Sequence, residues 1–211
     1  DSSDPYSSGM YGAFQAEAAN QPFEIVAAEA FTADNKTDFS VQLQKAKDAG
    51  ADMVYVPFYY NEIALVLKQA ADMGFEPTWF GVDGMDGILS MEGFDTALAE
   101  DAMLLTPFSA TAEDEKTQAF VAKYQELYGE IPNQFGADAY DGVYIIKAAL
   151  EKAGATPDME ASELCDALKT AMQEITFDGI TGKGITWEAN GEPTKDPIAV
   201  QIKNGVYEIM E

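Results

Sequence analysis

Arginine and histidine are absent from this 211-residue sequence, and Cys165 is its only cysteine. Each absence excludes a class of chemistry. Without histidine there is no Ser-His-Asp or Cys-His catalysis and no imidazole metal site. One cysteine closes no internal disulfide and builds no structural zinc cluster. Basic charge is equally scarce: 12 lysines stand against 37 acidic residues, a formal net charge of −25. Nucleic-acid binding requires clustered cations on phosphates, and anionic lipid would repel this chain, so neither is expected as a partner. No run reaches the roughly 20 apolar residues of a membrane span. The sequence shows no signal-peptide pattern, and it does not begin with Met.

What remains is a globular composition, 47% hydrophobic and 11% aromatic, too apolar for a disordered acidic tail. Short apolar runs alternate with amphipathic helices over the first 106 residues. Residues 23–28 read as a buried strand and residues 38–49 as a helix capped by Thr37. The strand Asp52 to Pro57 follows, then a helix over residues 61–73 with Ile63, Val66, Leu67 and Ala70 on one face. Residues 78–82 form another strand. This rhythm predicts βαβ units and a parallel sheet. A helix over residues 8–19, capped by Ser7 or Ser8, has no strand before it. A βαβ sheet would place one ahead of Asp1, so the chain is expected to be a fragment of a longer protein.

Residues 101–106 read as an edge strand. Helices over 112–128, 135–153 and 161–174 follow without strands between them, so they are expected to cover something outside this sequence. Short strands are predicted at 184–187, 197–203 and 206–210, the last two joined by the hairpin signal Asn204-Gly205. Cys165, beside Leu164, Leu168 and Met172, is read as a core residue.

In open parallel sheets, ligands sit where strand-to-helix loops converge. Three such loops are legible: residues 4–9, 57–62 and 81–87. They carry aromatic rings, hydroxyls and carboxylates but no basic group, a set suited to an ammonium and ill suited to a phosphate or carboxylate. Each residue also has a plainer role: Asp83 can shape a turn before Gly84, and Tyr6, Tyr59 and Tyr60 can be half-buried loop aromatics. Asp83 and Asp86 lack the alternation of oxygen ligands that a calcium loop needs.

At these loops the sequence resembles the extracytoplasmic solute-binding proteins of branched-chain amino acid ABC transporters, the leucine/isoleucine/valine-binding family. The matching stretches run in order along the chain. They include Asp4-Pro5-Tyr6-Ser7-Ser8-Gly9, Ala49-Gly50-Ala51-Asp52-Met53-Val54-Tyr55, Trp79-Phe80-Gly81-Val82-Asp83-Gly84, Gly136-Ala137-Asp138-Ala139-Tyr140-Asp141 and Phe177-Asp178-Gly179-Ile180-Thr181-Gly182. The resemblance implies an α/β type I periplasmic-binding (Venus-flytrap) fold, truncated, with a parallel βαβ sheet in the retained lobe. It implies that residues 1–107 are the second ligand-binding lobe without its first strand. Residues 108–190 would be helices returning to a first lobe that is absent, and residues 191–211 a hairpin crossing back.

The resemblance further implies Asp83 as partner of the ligand's α-ammonium, Tyr59 and Tyr6 as cleft walls, and Phe135 as a pocket aromatic near the hinge. Asp83 is shorter than the glutamate of the best-known relative. The implied function is capture of a small, aliphatic amino acid by hinge closure, outside the cytoplasm, for delivery to ABC permease subunits. No cofactor, metal or catalytic residue is implied; a lipoprotein signal and anchor would lie outside this sequence. The alternative is the same fold as the sensing domain of a receptor or regulator.

Overall fold

The computed structural model describes residues 1–210. The described residues divide into two compact units, residues 1–106 with 199–210, and residues 107–198.

The first unit is built on a five-stranded sheet in the order β1-β2-β3-β4-β5, where β1 is Met53–Val56, β2 Thr78–Gly81, β3 Met103–Thr106, β4 Ile198–Lys203 and β5 Val206–Ile209. β1 pairs with β2 and β2 with β3 in parallel, with Tyr55 opposite Phe80 and Phe80 opposite Met103. β4 and β5 form an antiparallel hairpin. Asn204 and Gly205 both have positive φ, 52° and 74°, the conformation that a two-residue hairpin turn requires. β3 is therefore internal and not an edge strand as expected. The Asp101 and Ile202 amides bond to the Ile202 and Ala102 carbonyls, and β4 covers its outer side.

Three helices belong to this unit: α1 (Pro5–Ala18), α2 (Ser40–Asp48) and α3 (Tyr60–Asp72). The apolar face foreseen on α3 is buried in full, with Ile63, Val66, Leu67 and Ala70 at 0%, 5%, 2% and 1% exposure. The core also includes Val56, Trp79, Leu104, Val200 and Ile202, together with Met85 and Ile88 after β2. The start of α2 departs from expectation. Asp38, not Thr37, accepts from the Ser40 amide and hydroxyl, at 3.0 and 2.6 Å.

Residues 23–28 do not form the expected buried strand. They run without ladder pairing; Ile25 and Ala27 are half-buried, while Phe23 and Val26 are exposed. A strand exists only through a partner, and β1 is the end strand of the sheet, paired only to β2. Among the described residues, the single backbone bond reaching positions 22–31 is from the Ser2 amide to the Phe31 carbonyl, 2.9 Å.

The second unit consists of α4 (Glu115–Tyr128), α5 (Gln134–Ala153), α6 (Ala161–Met172) and the loops around them. Its core joins Phe108, Phe120, Val121, Ala137 and Ile180. Asp141 is buried and accepts from the Ile180 amide (3.1 Å), the Thr181 amide (2.8 Å) and the Thr181 hydroxyl (2.7 Å), which ties α5 to the loop after residue 177. The strand expected at 184–187 reduces to isolated pairings of Phe177 with Ile185 and Trp187 with Pro193. Thr186 and Thr194 hold this loop by mutual side-chain and backbone bonds, and Pro193 brings no N–H with which to extend the pairing. Cys165 is exposed, not a core residue. The inward side of α6 runs through Leu164, Ala167, Leu168 and Ala171, and Cys165 lies about 100° around the helix from Leu164. No helix among the described residues is long and apolar enough to cross a membrane.

Candidate functional site

The site lies at the carboxyl ends of β1 and β2, in the first unit. The helix α1 begins earlier than the Ser7 or Ser8 caps suggested. Pro5 occupies its first position, where a missing N–H costs nothing, and Asp4 caps it. The Asp4 carboxylate accepts from the Tyr6 amide (3.4 Å), the Ser7 amide (3.2 Å) and the Ser7 hydroxyl (3.0 Å). Tyr6 thus stands in the first turn of a capped helix and not in a free loop.

The segment after β2 is a 3-10 turn, Asp83–Met85, preceded by extended Val82. Within residues 81–88 every residue is buried except Asp83, which is half-exposed. Burial of the surrounding backbone leaves one carboxylate as the polar point of the loop. The Tyr6 hydroxyl donates to Asp83 Oδ1 at 2.6 Å and accepts from the Gly84 amide at 3.0 Å. Tyr59, just before α3, sets its ring 5.1 Å from that of Tyr6. Three of the four residues expected from the sequence, Tyr6, Tyr59 and Asp83, therefore come together. Phe135 is the second residue of α5, in the second unit, and is 39% exposed.

Other participants escaped the sequence. Tyr55 of β1 is half-buried, and its ring stacks on Phe14 of α1 at 4.3 Å. Its only sequence signal was strand alternation, which set it on the face opposite Val54 and Val56. In the sequence Gly84 fits an ordinary turn, and a glycine directly after the carboxylate is the one hint that a side chain does not fit there. The Asp4 cap was legible in principle, since Asp followed by Pro is a helix-start pattern.

Electrostatics follow from this packing. Burial, and then the hydrogen bond and charge of Asp83, hold the Tyr6 phenol well above the usual tyrosine value. Burial and the Asp83 charge push Tyr55 up to about 12. Burial, then Asp4 and Asp83, raise Tyr59. All three phenols are therefore neutral at physiological pH, and the site's formal charge is carboxylate. Such a constellation can neutralise a cation and enclose it with ring faces and oxygens. Among the described residues no group of three or more His, Cys, Asp and Glu side chains is placed to hold a metal ion.

A family model described as periplasmic binding protein matches residues 1–206. The chain belongs to the periplasmic binding protein family. Its fold is the α/β type I periplasmic-binding fold, as expected. It is 32% identical over 185 residues to a Leu/Ile/Val-binding protein of Rhizobium johnstonii, covering 84% of this chain and 48% of that protein. It is 30% identical over 160 residues to the leucine-, isoleucine-, valine-, threonine- and alanine-binding protein of Pseudomonas aeruginosa, covering 74% of this chain and 41% of the relative. The branched-chain amino acid transporter substrate-binding protein LivJ of Streptococcus pneumoniae, solved in complex with isoleucine, superposes with a TM-score of 0.79. It is 29% identical, and the match covers 98% of this chain and 57% of LivJ. This periplasmic binding protein chain thus spans less than half the length of the two curated relatives.

Proposed function

We propose that this chain supplies the ammonium side of an amino-acid site, in a solute-binding protein that captures a small aliphatic amino acid for an ABC importer. The observation that carries this reading is the single half-exposed carboxylate, Asp83, which accepts from the Tyr6 hydroxyl beside the Tyr59 ring, in an otherwise buried loop that has no basic side chain. An α-ammonium is the complement of that arrangement. An anionic group would meet Asp83 with repulsion and find no cation. In this reading Asp83 is the counter-ion, and Tyr59 and Tyr6 form the wall. The relatives' names support branched-chain amino acids as the ligand class.

Because the chain spans about half of its relatives, the carboxylate partners are assigned to residues outside it, and residues 108–190 to covering that other part. Closure around the ligand follows the usual logic, in which contacts to both halves favour the closed state that a permease recognises. The location is extracytoplasmic.

The test is an NMR titration of this chain with L-leucine and L-isoleucine into the millimolar range. Shifts are expected at Tyr6, Tyr59 and the residues around Asp83, and Asp83→Ala should weaken binding by about 1–3 kcal/mol. An unchanged affinity would remove Asp83 from the site. Micromolar binding by this chain alone would overturn the assignment of half the contacts to residues outside it.

A further inference from the structure

Tyr6 and Asp83 lie 77 positions apart, yet the phenol is spoken for at both ends of its hydrogen-bonding capacity. Its proton goes to Asp83 Oδ1 at 2.6 Å, and its oxygen takes the Gly84 N–H at 3.0 Å. A phenol has one proton to give. Tyr6 therefore has none left for an incoming ligand while it holds Asp83.

Gly84 is fixed just as tightly from the other side. A Cβ at this position would lie 2.7 Å from the Phe58 carbonyl oxygen and 2.9 Å from the Tyr6 hydroxyl. The first neighbour is backbone and cannot swing aside; the second is the hydroxyl that the Gly84 amide itself bonds. Any side chain here must push the turn away from α1, from the residues before α3, or from both. Gly84 has an ordinary φ and is absent from the left-handed residues, so close approach and not backbone conformation requires glycine.

We propose that Tyr6 and Gly84 are a positioning pair that holds the Asp83 carboxylate in one orientation, so that the Tyr6 hydroxyl acts on the ligand through Asp83 and not by a hydrogen bond of its own. The proposal rests on the ammonium reading above. It gives the Tyr6 hydroxyl the role of a brace beside the ring's role as wall, and it gives Gly84, which has no side chain to offer a ligand, an effect on affinity. A carboxylate already oriented loses less side-chain freedom when the ligand arrives. The brace matters more for Asp83 than for a longer side chain, because a short reach tolerates little misplacement.

The decisive measurement follows the Tyr6 Cζ resonance of this chain, with 13C-labelled tyrosine, through alkaline pH. The charged and titratable groups around Tyr6 are Asp83, Asp4 and Tyr59. In the unaltered chain Tyr6 should stay protonated beyond the pH at which exposed tyrosines ionise. Asp83→Asn, which keeps the size of the side chain, should lower its midpoint by about one pH unit. A midpoint that does not move would overturn the brace.

Binding of L-leucine supplies the second arm. Tyr6→Phe and Gly84→Ala should each weaken it about 5- to 10-fold, and Tyr6→Phe added to Asp83→Asn should cost almost nothing further. Losses that simply multiply in the double variant would mean that Tyr6 meets the ligand independently, against the proposal. If the chain binds neither L-leucine nor L-isoleucine, the ammonium reading fails. The Cζ titration then still decides whether the pair positions Asp83.

Discussion

Helices α3 and α5 carry similar apolar periodicity, and the two units use it differently. In the first unit, α3 packs onto the sheet and leaves Ile63 and Leu67 at 0% and 2% exposure. In the second, α5 buries Ala137 and Ala149 but leaves Val143, Tyr144 and Ile146 at 66%, 46% and 56%. What α5 fixes firmly is polar: the Asp141 carboxylate, buried under three donors. An apolar stripe is thus only an offer of burial. Where a sheet answers it, nonpolar area holds the unit together; where none does, a small aromatic core and one satisfied carboxylate carry more of the load.

Substitutions can break that comparison. Leu67→Ala should cost about 2–5 kcal/mol in chemical denaturation, because it leaves a cavity in packed surroundings; a cost under about 1 kcal/mol would mean that the α3 face is not the core of its unit. Asp141→Ala should cost about 2–4 kcal/mol, since it strands two buried amides and a hydroxyl. Asp141→Asn should cost less, and equal losses in the two variants would count against charge-assisted bonding there.

A pH effect should be smaller, and one part of it comes from Tyr55 in the first unit. The Tyr55 phenol, raised from 10.0 to about 12, binds its proton more tightly folded than unfolded. Its contribution is thus fully present below about pH 10 and is lost as pH rises toward 12. Because the ring is only half-buried, that loss should be on the order of 1 kcal/mol once solvent screening is allowed for. Tyr55→Phe should flatten this part of the stability curve, and an unaltered slope would assign it to other groups. The smallest effect is expected for Ile146→Ala, within about 0.5 kcal/mol of no change. A larger cost would show that the outer face of α5 is buried in solution.

Much of the first unit was legible because its signals are local. The stripe Ile63-Val66-Leu67-Ala70 names a helix and its face, Asn204-Gly205 names a hairpin, and strand–helix alternation names a parallel sheet. The errors came where a neighbour decides. Residues 23–28 have strand composition without a ladder partner, β3 became internal only because β4 returns beside it, and Cys165 sits one step off the inward side of α6. The site divided in the same way. Loop position pointed to Asp83, Tyr59 and Tyr6, whereas the bond from Gly84 to Tyr6 spans 78 positions and leaves no trace in the sequence beyond a missing side chain.

If Asp83 serves as counter-ion to an ammonium, the amino group of the ligand must matter. The comparison that decides this sets L-leucine beside 4-methylpentanoate, which has the same side chain and carboxylate and no amino group, with the unaltered chain and Asp83→Asn. Leucine should be favoured by about tenfold or more, with that preference largely lost in Asp83→Asn. Equal binding of the two ligands by the unaltered chain, or a preference that survives Asp83→Asn, would contradict the counter-ion role.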